Sequence, residues 1–268
     1  MEKKAAIGVF DSGVGGLTVV REIMKTLPDE KIIYFGDTAR VPYGSKSKET
    51  VTKYTEQIIR FLLTHEVKAL VVACNTMSAL ALDTVENNLS IPITGVVRPG
   101  ALAACRSTRN KRIGVIATES TIKSRLYKHL LREIDPETEV IGKACPLFVP
   151  LVEEGMIDDP VTEEIARRYL FGLIRQDIDT LILGCTHYPL LKDTIAEIVG
   201  ENVVLVNPAY ETARGLKELL SRNDMLNDGE ALEHEFYVSD SEDKFARFAA
   251  SLLHIENLTA QIVNIEEY

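Results

Sequence analysis

Short apolar runs alternate with longer amphipathic stretches along the chain. The runs Ala6–Phe10, Lys31–Phe35, Ala69–Ala73, Ile93–Val97, Arg112–Ala117, Glu139–Gly142, Thr180–Leu183, Val203–Val206 and Glu235–Val238 are near-continuously apolar and bounded by Gly, Pro, Asp or Asn. That pattern predicts strands covered on both faces. Helical spacing is predicted between them, as over Lys48–His65, Asn75–Asn87, Thr121–Ile134, Thr162–Arg175 and Ala209–Ser221. Alternation of this kind implies an α/β fold with mainly parallel sheets. The most polar stretch, Ser221–Glu235, reads as a surface loop.

The pattern also repeats. Ile7-Gly-Val-Phe-Asp11 matches Ile113-Gly-Val-Ile-Ala117, Val41-Pro42 matches Val149-Pro150, and the strand ending at Cys74 matches the strand ending at Cys185. The three matches occur in the same order, each pair about 110 residues apart, which predicts two similar α/β halves.

Composition narrows the function. A chain of 268 residues with 46% apolar content can bury a sizeable core. Its net charge of −10 argues against nucleic acid as a partner, since phosphate binding needs a basic face. An anionic small substrate is still allowed, because donors in a pocket outweigh the global sign. With no signal-peptide pattern and no apolar run near membrane-spanning length, a soluble cytoplasmic protein is expected. The four cysteines, Cys74, Cys105, Cys145 and Cys185, have neither disulfide-framework nor zinc-site spacing.

Cys74 and Cys185 both stand where a strand ends and a helix is predicted to begin, which is where open α/β sheets bind ligands. A helix N-terminus lowers a thiol pKa. The following residues, Asn75-Thr76 and Thr186-His187, offer polar donors for a carboxylate or ammonium group. Two thiols from related halves suit racemisation, in which one group removes a proton from a carbon and a second returns one to the opposite face. Cys105, in an Ala-rich helical stretch, and Cys145, before Pro146, read as packing residues.

Asp11-Ser-Gly-Val-Gly-Gly16 follows the first strand. It departs from the dinucleotide fingerprint because Thr18 replaces the third Gly, although Asp37 stands at the fingerprint's acidic position. Asp11 fits better beside a substrate ammonium; the competing reading is a helix N-cap, a role Ser12 also fits. Arg40 reads as a surface residue. His187 is placed to stabilise the Cys185 thiolate or shuttle its proton, and Glu153 in Pro150-Leu-Val-Glu-Glu-Gly155 reaches toward the same cleft. The remaining histidines, 65, 129, 234 and 254, read as surface or structural. A Cys185–His187 thiol hydrolase is disfavoured, since residues two apart at a helix start do not face each other.

The motifs Ile7-Gly-Val-Phe-Asp-Ser-Gly-Val-Gly-Gly-Leu-Thr18, Gly36-Asp-Thr-Ala-Arg-Val-Pro-Tyr-Gly44, Val72-Ala-Cys-Asn-Thr76 and Leu183-Gly-Cys-Thr-His-Tyr-Pro-Leu190 resemble those of the glutamate racemases of bacterial cell-wall synthesis, within the aspartate/glutamate racemase superfamily. The resemblance spans essentially the whole chain. It implies two three-layer α/β domains related by pseudo-two-fold symmetry, one comprising 1–97 plus 208–268 and the other 98–207, with the substrate between them. It implies direct interconversion of L- and D-glutamate with no cofactor and no metal. Cys74 would take the proton from D-glutamate and Cys185 from L-glutamate, assisted by Asp11, Glu153 and His187. Ser12, Pro42, Tyr43, Gly44, Asn75, Thr76, Thr118, Thr121 and Thr186 would bind substrate, with Asp11 and His187 also contributing. No membrane partner is implied, and a homodimer is the expected assembly. Alternative readings are an aspartate or other superfamily racemase, and an inactive amino-acid-binding or regulatory module. The chain departs from the family pattern at Ala117-Thr-Glu-Ser-Thr121, where Gly-Thr-x-Gly-Thr is usual, predicting a less flexible loop. It departs again at Asn207–Tyr210.

Overall fold

The structure, a computed structural model, describes residues 3–230 and 232–268. Met1, Glu2 and Ala231 of the expected loop lie outside the described residues. The strands are β1 (Ala6–Asp11), β2 (Ile32–Gly36), β3 (Val67–Val72), β4 (Ile93–Gly95), β5 (Arg112–Ala117), β6 (Glu139–Ala144), β7 (Thr180–Gly184), β8 (Val204–Val206), β9 (Glu235–Val238) and β10 (Gln261–Ile262). They form a six-stranded sheet in the order β10-β9-β2-β1-β3-β4 and a four-stranded sheet in the order β6-β5-β7-β8. Every pairing is parallel. The run β2-β1-β3-β4 in one sheet matches β6-β5-β7-β8 in the other, which is the internal repeat in three dimensions. β1 and β5 are the central strands, and Asp11 and Ala117 end them at equivalent positions.

The helices are α1 (Leu17–Thr26), α2 (Lys48–Leu62), α3 (Asn75–Leu80), α4 (Leu82–Val85), α5 (Val97–Ser107), α6 (Glu119–Ser124), α7 (Leu126–Ile134), α8 (Phe148–Glu153), α9 (Pro160–Ile174), α10 (Lys192–Val199), α11 (Pro208–Arg222) and α12 (Glu242–Leu253). Local chemistry sets their starts. Ser47 caps α2 by accepting from the Thr50 amide, and Asp159 with Pro160 opens α9. Asn207 caps α11 ahead of Pro208, so the departure at Asn207–Tyr210 is an ordinary helix start. One large core cluster joins α1, α5 and α11 to both sheets, while the outer face of each sheet has its own.

Several expected elements are shorter or broken. The run Ile93–Val97 is strand only to Gly95, because the Val96 amide donates to Ser78 Oγ (3.3 Å) instead of a strand neighbour, and Val97 opens α5. The Asn75–Asn87 helix breaks at Ala81, and the Thr121–Ile134 helix breaks at Arg125, whose φ of 58° is left-handed. Ser124 Oγ takes the Leu126 amide at that break. β6 is an edge strand with both faces only partly covered, not a buried one. Within the expected Ser221–Glu235 loop, Arg222 still belongs to α11 and Met225 is buried.

Among the described residues, Lys68 and Glu30 form a fully buried ion pair. Lys68 of β3 reaches Glu30 at 2.5 Å and donates to the Lys3 carbonyl, while Glu30 accepts from the Asn227 amide. Lys68→Met leaves the Glu30 carboxylate buried without its cation, so a loss of about 3–5 kcal/mol is expected. Denaturant unfolding checks this, and a midpoint equal to the parent's would show that the pair contributes nothing.

Candidate active site

Loops from both sheets meet around a cavity of about 370 Å³. After β1 come Ser12 and Gly13; after β2, Pro42, Tyr43 and Gly44; after β3, Cys74, Asn75 and Thr76. The other half contributes Thr118 after β5, Glu153 from α8, and Cys185, Thr186 and His187 after β7. Asp11 lies just beneath, fully buried, and Thr121 sits behind Thr118 and Thr76. Strand polarity explains the convergence, since parallel strands point all their C-terminal ends the same way. Val149 and Pro150 also line the cavity, as do their sequence partners Val41 and Pro42.

The halves touch through contacts that exclude side chains. A Cβ at Gly15 would lie 2.3 Å from Thr186 Oγ1 and 2.5 Å from the His187 ring, and one at Gly44 would lie 2.7 Å from Thr118 Cβ. Around these points run cross-half hydrogen bonds. Thr18 Oγ1 donates to the Thr186 carbonyl (2.9 Å), Thr76 and Thr118 share one at 3.0 Å, and Tyr127 donates to Asn75 Oδ1 (2.7 Å). Ser120, in the departing Ala117–Thr121 segment, donates to the Lys46 carbonyl at 3.2 Å. That bond ties α6 to the loop after β2. Thr18 ends the first motif but was given no role there, and Tyr127 belongs to no motif; a Tyr on an amphipathic helix reads as core.

Asp37 is no ribose ligand. It is fully buried and accepts from Ser239 Oγ (2.7 Å), Arg40 Nε (2.7 Å) and the Tyr43 hydroxyl. Arg40, expected at the surface, has a largely buried side chain. It also bonds Gln57 (2.7 Å) and stacks over Tyr54 at 3.9 Å. This network anchors Tyr43 and hence the Pro42–Gly44 wall of the cavity. Asp11 is no helix cap either: Gly16 occupies that position without any side-chain bond, leaving Ser12 uninvolved. Asp11 accepts from the Gly13 amide (3.0 Å) through one oxygen, and its Oδ1 has no partner among the described residues. Burial raises its pKa above the usual carboxylate range, partly offset by the His187 charge and nearby amides. A buried, half-satisfied carboxylate of this kind invites a cation.

The two thiols sit in unlike surroundings. Cys74 does stand at the N-cap of α3, but its pKa is not lowered as expected. Burial first, then the Asp11 charge, pushes it up to about 12, with the Met77 amide and Ser12 only partly offsetting them. The thiol donates to Ser12 Oγ at 3.6 Å. Desolvation outweighs the dipole of a short helix here. Cys185 is followed by a turn and a short 3₁₀ segment rather than by the start of an α-helix. That irregular backbone lets His187 fold back, so Nδ1 approaches Cys185 Sγ at 3.8 Å, contrary to the expectation for residues two apart. His187 Nε2 donates to Glu153 Oε1 at 3.0 Å. Burial alone would push the imidazole pKa down. Hydrogen bonds to Cys185 and Glu153, with the charges of Cys185 and Asp11, lift it instead to about 10. Glu153, half-buried, is held below its ordinary range chiefly by that same hydrogen bond. Cys145 is buried, its thiol also pushed up to about 12 by desolvation. Cys105 is half-buried against the core, and both are packing residues.

Two thiols, one from each half, thus line one cavity with hydroxyl and amide groups, beside a buried carboxylate with an unpartnered oxygen. The chain belongs to the Asp/Glu/Hydantoin racemase family, which it matches over residues 7–214. Within that family it is 55% identical over 243 residues to a glutamate racemase of Geobacter metallireducens, covering 90% of each chain. Its structure superposes on a crystal structure of a Bacillus anthracis glutamate racemase with TM-score 0.95 at 41% identity, covering 98% of both chains. A Francisella tularensis glutamate racemase solved with D-glutamate matches at TM-score 0.93 and 41% identity, over 99% of this chain and 100% of that one.

The His187 environment has a consequence for stability. Its pKa rises from 6.5 to about 10 on folding, so its contribution is complete below about pH 6.5 and is lost as pH climbs through about 10. Glu153, depressed from 4.5, acts in the opposite window and contributes only above its unfolded value. Between pH 7 and 10 the denaturation midpoint should therefore fall more steeply for the parent than for His187→Asn. Parallel falls would contradict the charged cluster.

Proposed function

We propose that the chain interconverts L- and D-glutamate without a cofactor, using Cys74 and Cys185 as the two acid/base groups. The observation that carries the reading is that these two thiols, one from each half, line a single cavity. In the L-to-D direction, the Cys185 thiolate takes the α-proton of L-glutamate and the Cys74 thiol delivers its own proton to the opposite face. The reverse reaction exchanges the roles. Its unliganded state suits the first direction: Cys74 is held protonated, and His187 stands ready to stabilise a thiolate at Cys185. Asp11, through its unpartnered oxygen, is the counter-charge for the substrate ammonium. Asn75, Thr76 and Thr186 donate to a carboxylate, while Ser12, Pro42, Tyr43, Gly44, Thr118 and Thr121 shape the rest of the cavity. Carbanion character at the α-carbon is stabilised by these fixed donors, with closure of the two halves over the substrate excluding water.

On this reading the product D-glutamate feeds peptidoglycan synthesis in the cytoplasm. Residues 1–97 with 208–268 act as one unit and 98–207 as the other, and two chains pair as a homodimer. Support comes from the relatives named as glutamate racemases and from the sheet to which each motif belongs. No helix among the described residues is long and apolar enough to cross a membrane.

Cofactor-free protein in heavy water with L-glutamate should lose the optical signal of the amino acid as deuterium enters its α-carbon. L-aspartate should turn over far more slowly, as judged by kcat/KM. Cys74→Ala and Cys185→Ala should each lower glutamate racemisation by at least a hundred- to ten-thousand-fold. Either variant racemising at the parent rate would sink the two-thiol assignment. A folded, reduced parent that binds glutamate without exchanging its proton would favour the binding-module reading.

A further inference from the structure

Tyr127 belongs to α7, in a part of the chain that carries no motif, yet its hydroxyl ends 2.7 Å from Asn75 Oδ1 on the far side of the cleft. The tyrosine is 3% exposed and Asn75 4%. A glycine makes way for the ring. A Cβ at Gly184, one residue before Cys185, would lie 3.2 Å from Tyr127 Cε2. Among the described residues, Tyr127 is the one side-chain partner of the Asn75 amide, and it holds the oxygen.

A carboxamide is planar, with its oxygen and nitrogen on opposite sides. Once Oδ1 is held toward α7, Nδ2 is turned the other way, and Asn75 lines the cavity. We propose that Tyr127 is a positioning residue that fixes the Asn75 amide with its N–H groups toward the substrate carboxylate. A flipped amide would present an acceptor to that carboxylate and repel it. Burial first, and the Cys185 charge second, raise the phenol pKa above its ordinary value, so the hydroxyl keeps the proton that it donates to Asn75 Oδ1. The same bond links the residue after Cys74 to a helix of the opposite half, so it forms only when the cleft has its present geometry. The inference rests on the racemase reading given above.

Tyr127→Phe removes only the hydroxyl. With the parent racemising glutamate, this variant should raise KM about tenfold in both directions while kcat changes far less, as expected for loss of one buried hydrogen bond. The loss should vanish in an Asn75→Ala background, because Tyr127 then has nothing to orient. An unchanged KM, or an equal loss in both backgrounds, overturns the proposal. Should Tyr127→Phe not fold, Asn75→Asp decides. It keeps an acceptor for Tyr127 but offers no N–H, so calorimetry on protein shown by circular dichroism to be folded should find D-glutamate binding weakened by about a hundredfold. Parent-like binding by Asn75→Asp overturns the orientation argument. A parent inactive on glutamate sinks the racemase reading and this inference together, whereas an active parent with an unaffected Tyr127→Phe sinks only the role of Tyr127.

Discussion

The arrangement of the cavity depends on how closely the two halves approach at places where no side chain fits. Gly15 lies against Thr186 and His187, and Gly44 against Thr118. A methyl group at Gly15 would push back the strand-end loop that carries Cys185, and one at Gly44 would push back Thr118. Proton transfer to and from one carbon tolerates little extra distance. Glycine therefore acts here as a spacer of minimal thickness rather than as a hinge, and both φ values lie outside the left-handed region. The Thr18–Thr186, Thr76–Thr118 and Tyr127–Asn75 bonds span the same seam. They convert contact into register, so that each half orients donors belonging to the other.

Within that seam the two related halves have diverged electrically. The sheet positions of Cys74 and Cys185 are equivalent, but their neighbours are not. Cys74 shares its surroundings with Asp11, an anion that opposes a thiolate, and with the short hydroxyl of Ser12. Cys185 shares its surroundings with a histidine that is itself braced by Glu153. The bracing matters because a buried imidazolium with no carboxylate would lose its proton to desolvation. One sheet thus ends in a site that favours a neutral thiol, and the other in a site that favours an ion pair.

Much of this was legible in the sequence. Apolar runs of strand length marked nine of the ten described strands; β10, two exposed residues pairing with β9, is too short to carry a period. The doubled motif predicted the doubled sheet, and the two cysteines marked the strand ends that face each other. Less legible were features that depend on how desolvation competes with local backbone effects. A helix N-terminus argued for an acidified Cys74, but complete burial reversed the sign. Helical periodicity argued against Cys185 meeting His187, but the turn after β7 is not helical. Arg40 looked like a surface charge because nothing local indicated that Asp37, Gln57 and Tyr54 would enclose it. Tyr127 left no trace, since its partner is 52 residues away in sequence and its helix has an ordinary amphipathic pattern.

The asymmetry of the thiols has a limit set by thermodynamics. L- and D-glutamate have equal free energies in water, so kcat/KM must be equal in the two directions whatever the protein does. A neutral Cys74 in one half and a His187–Glu153 pair beside Cys185 in the other cannot favour one product. They can only divide the barrier differently, making the unliganded protein ready for one enantiomer and requiring the protons to be rearranged before the other can react. On the proposed reading, the His187–Glu153 pair acts on the protonation state beside Cys185 between turnovers, not on the position of equilibrium. The symmetric demand of the reaction is met by repeating a sheet, and the difference between its two thiol surroundings comes from the residues at which the copies differ.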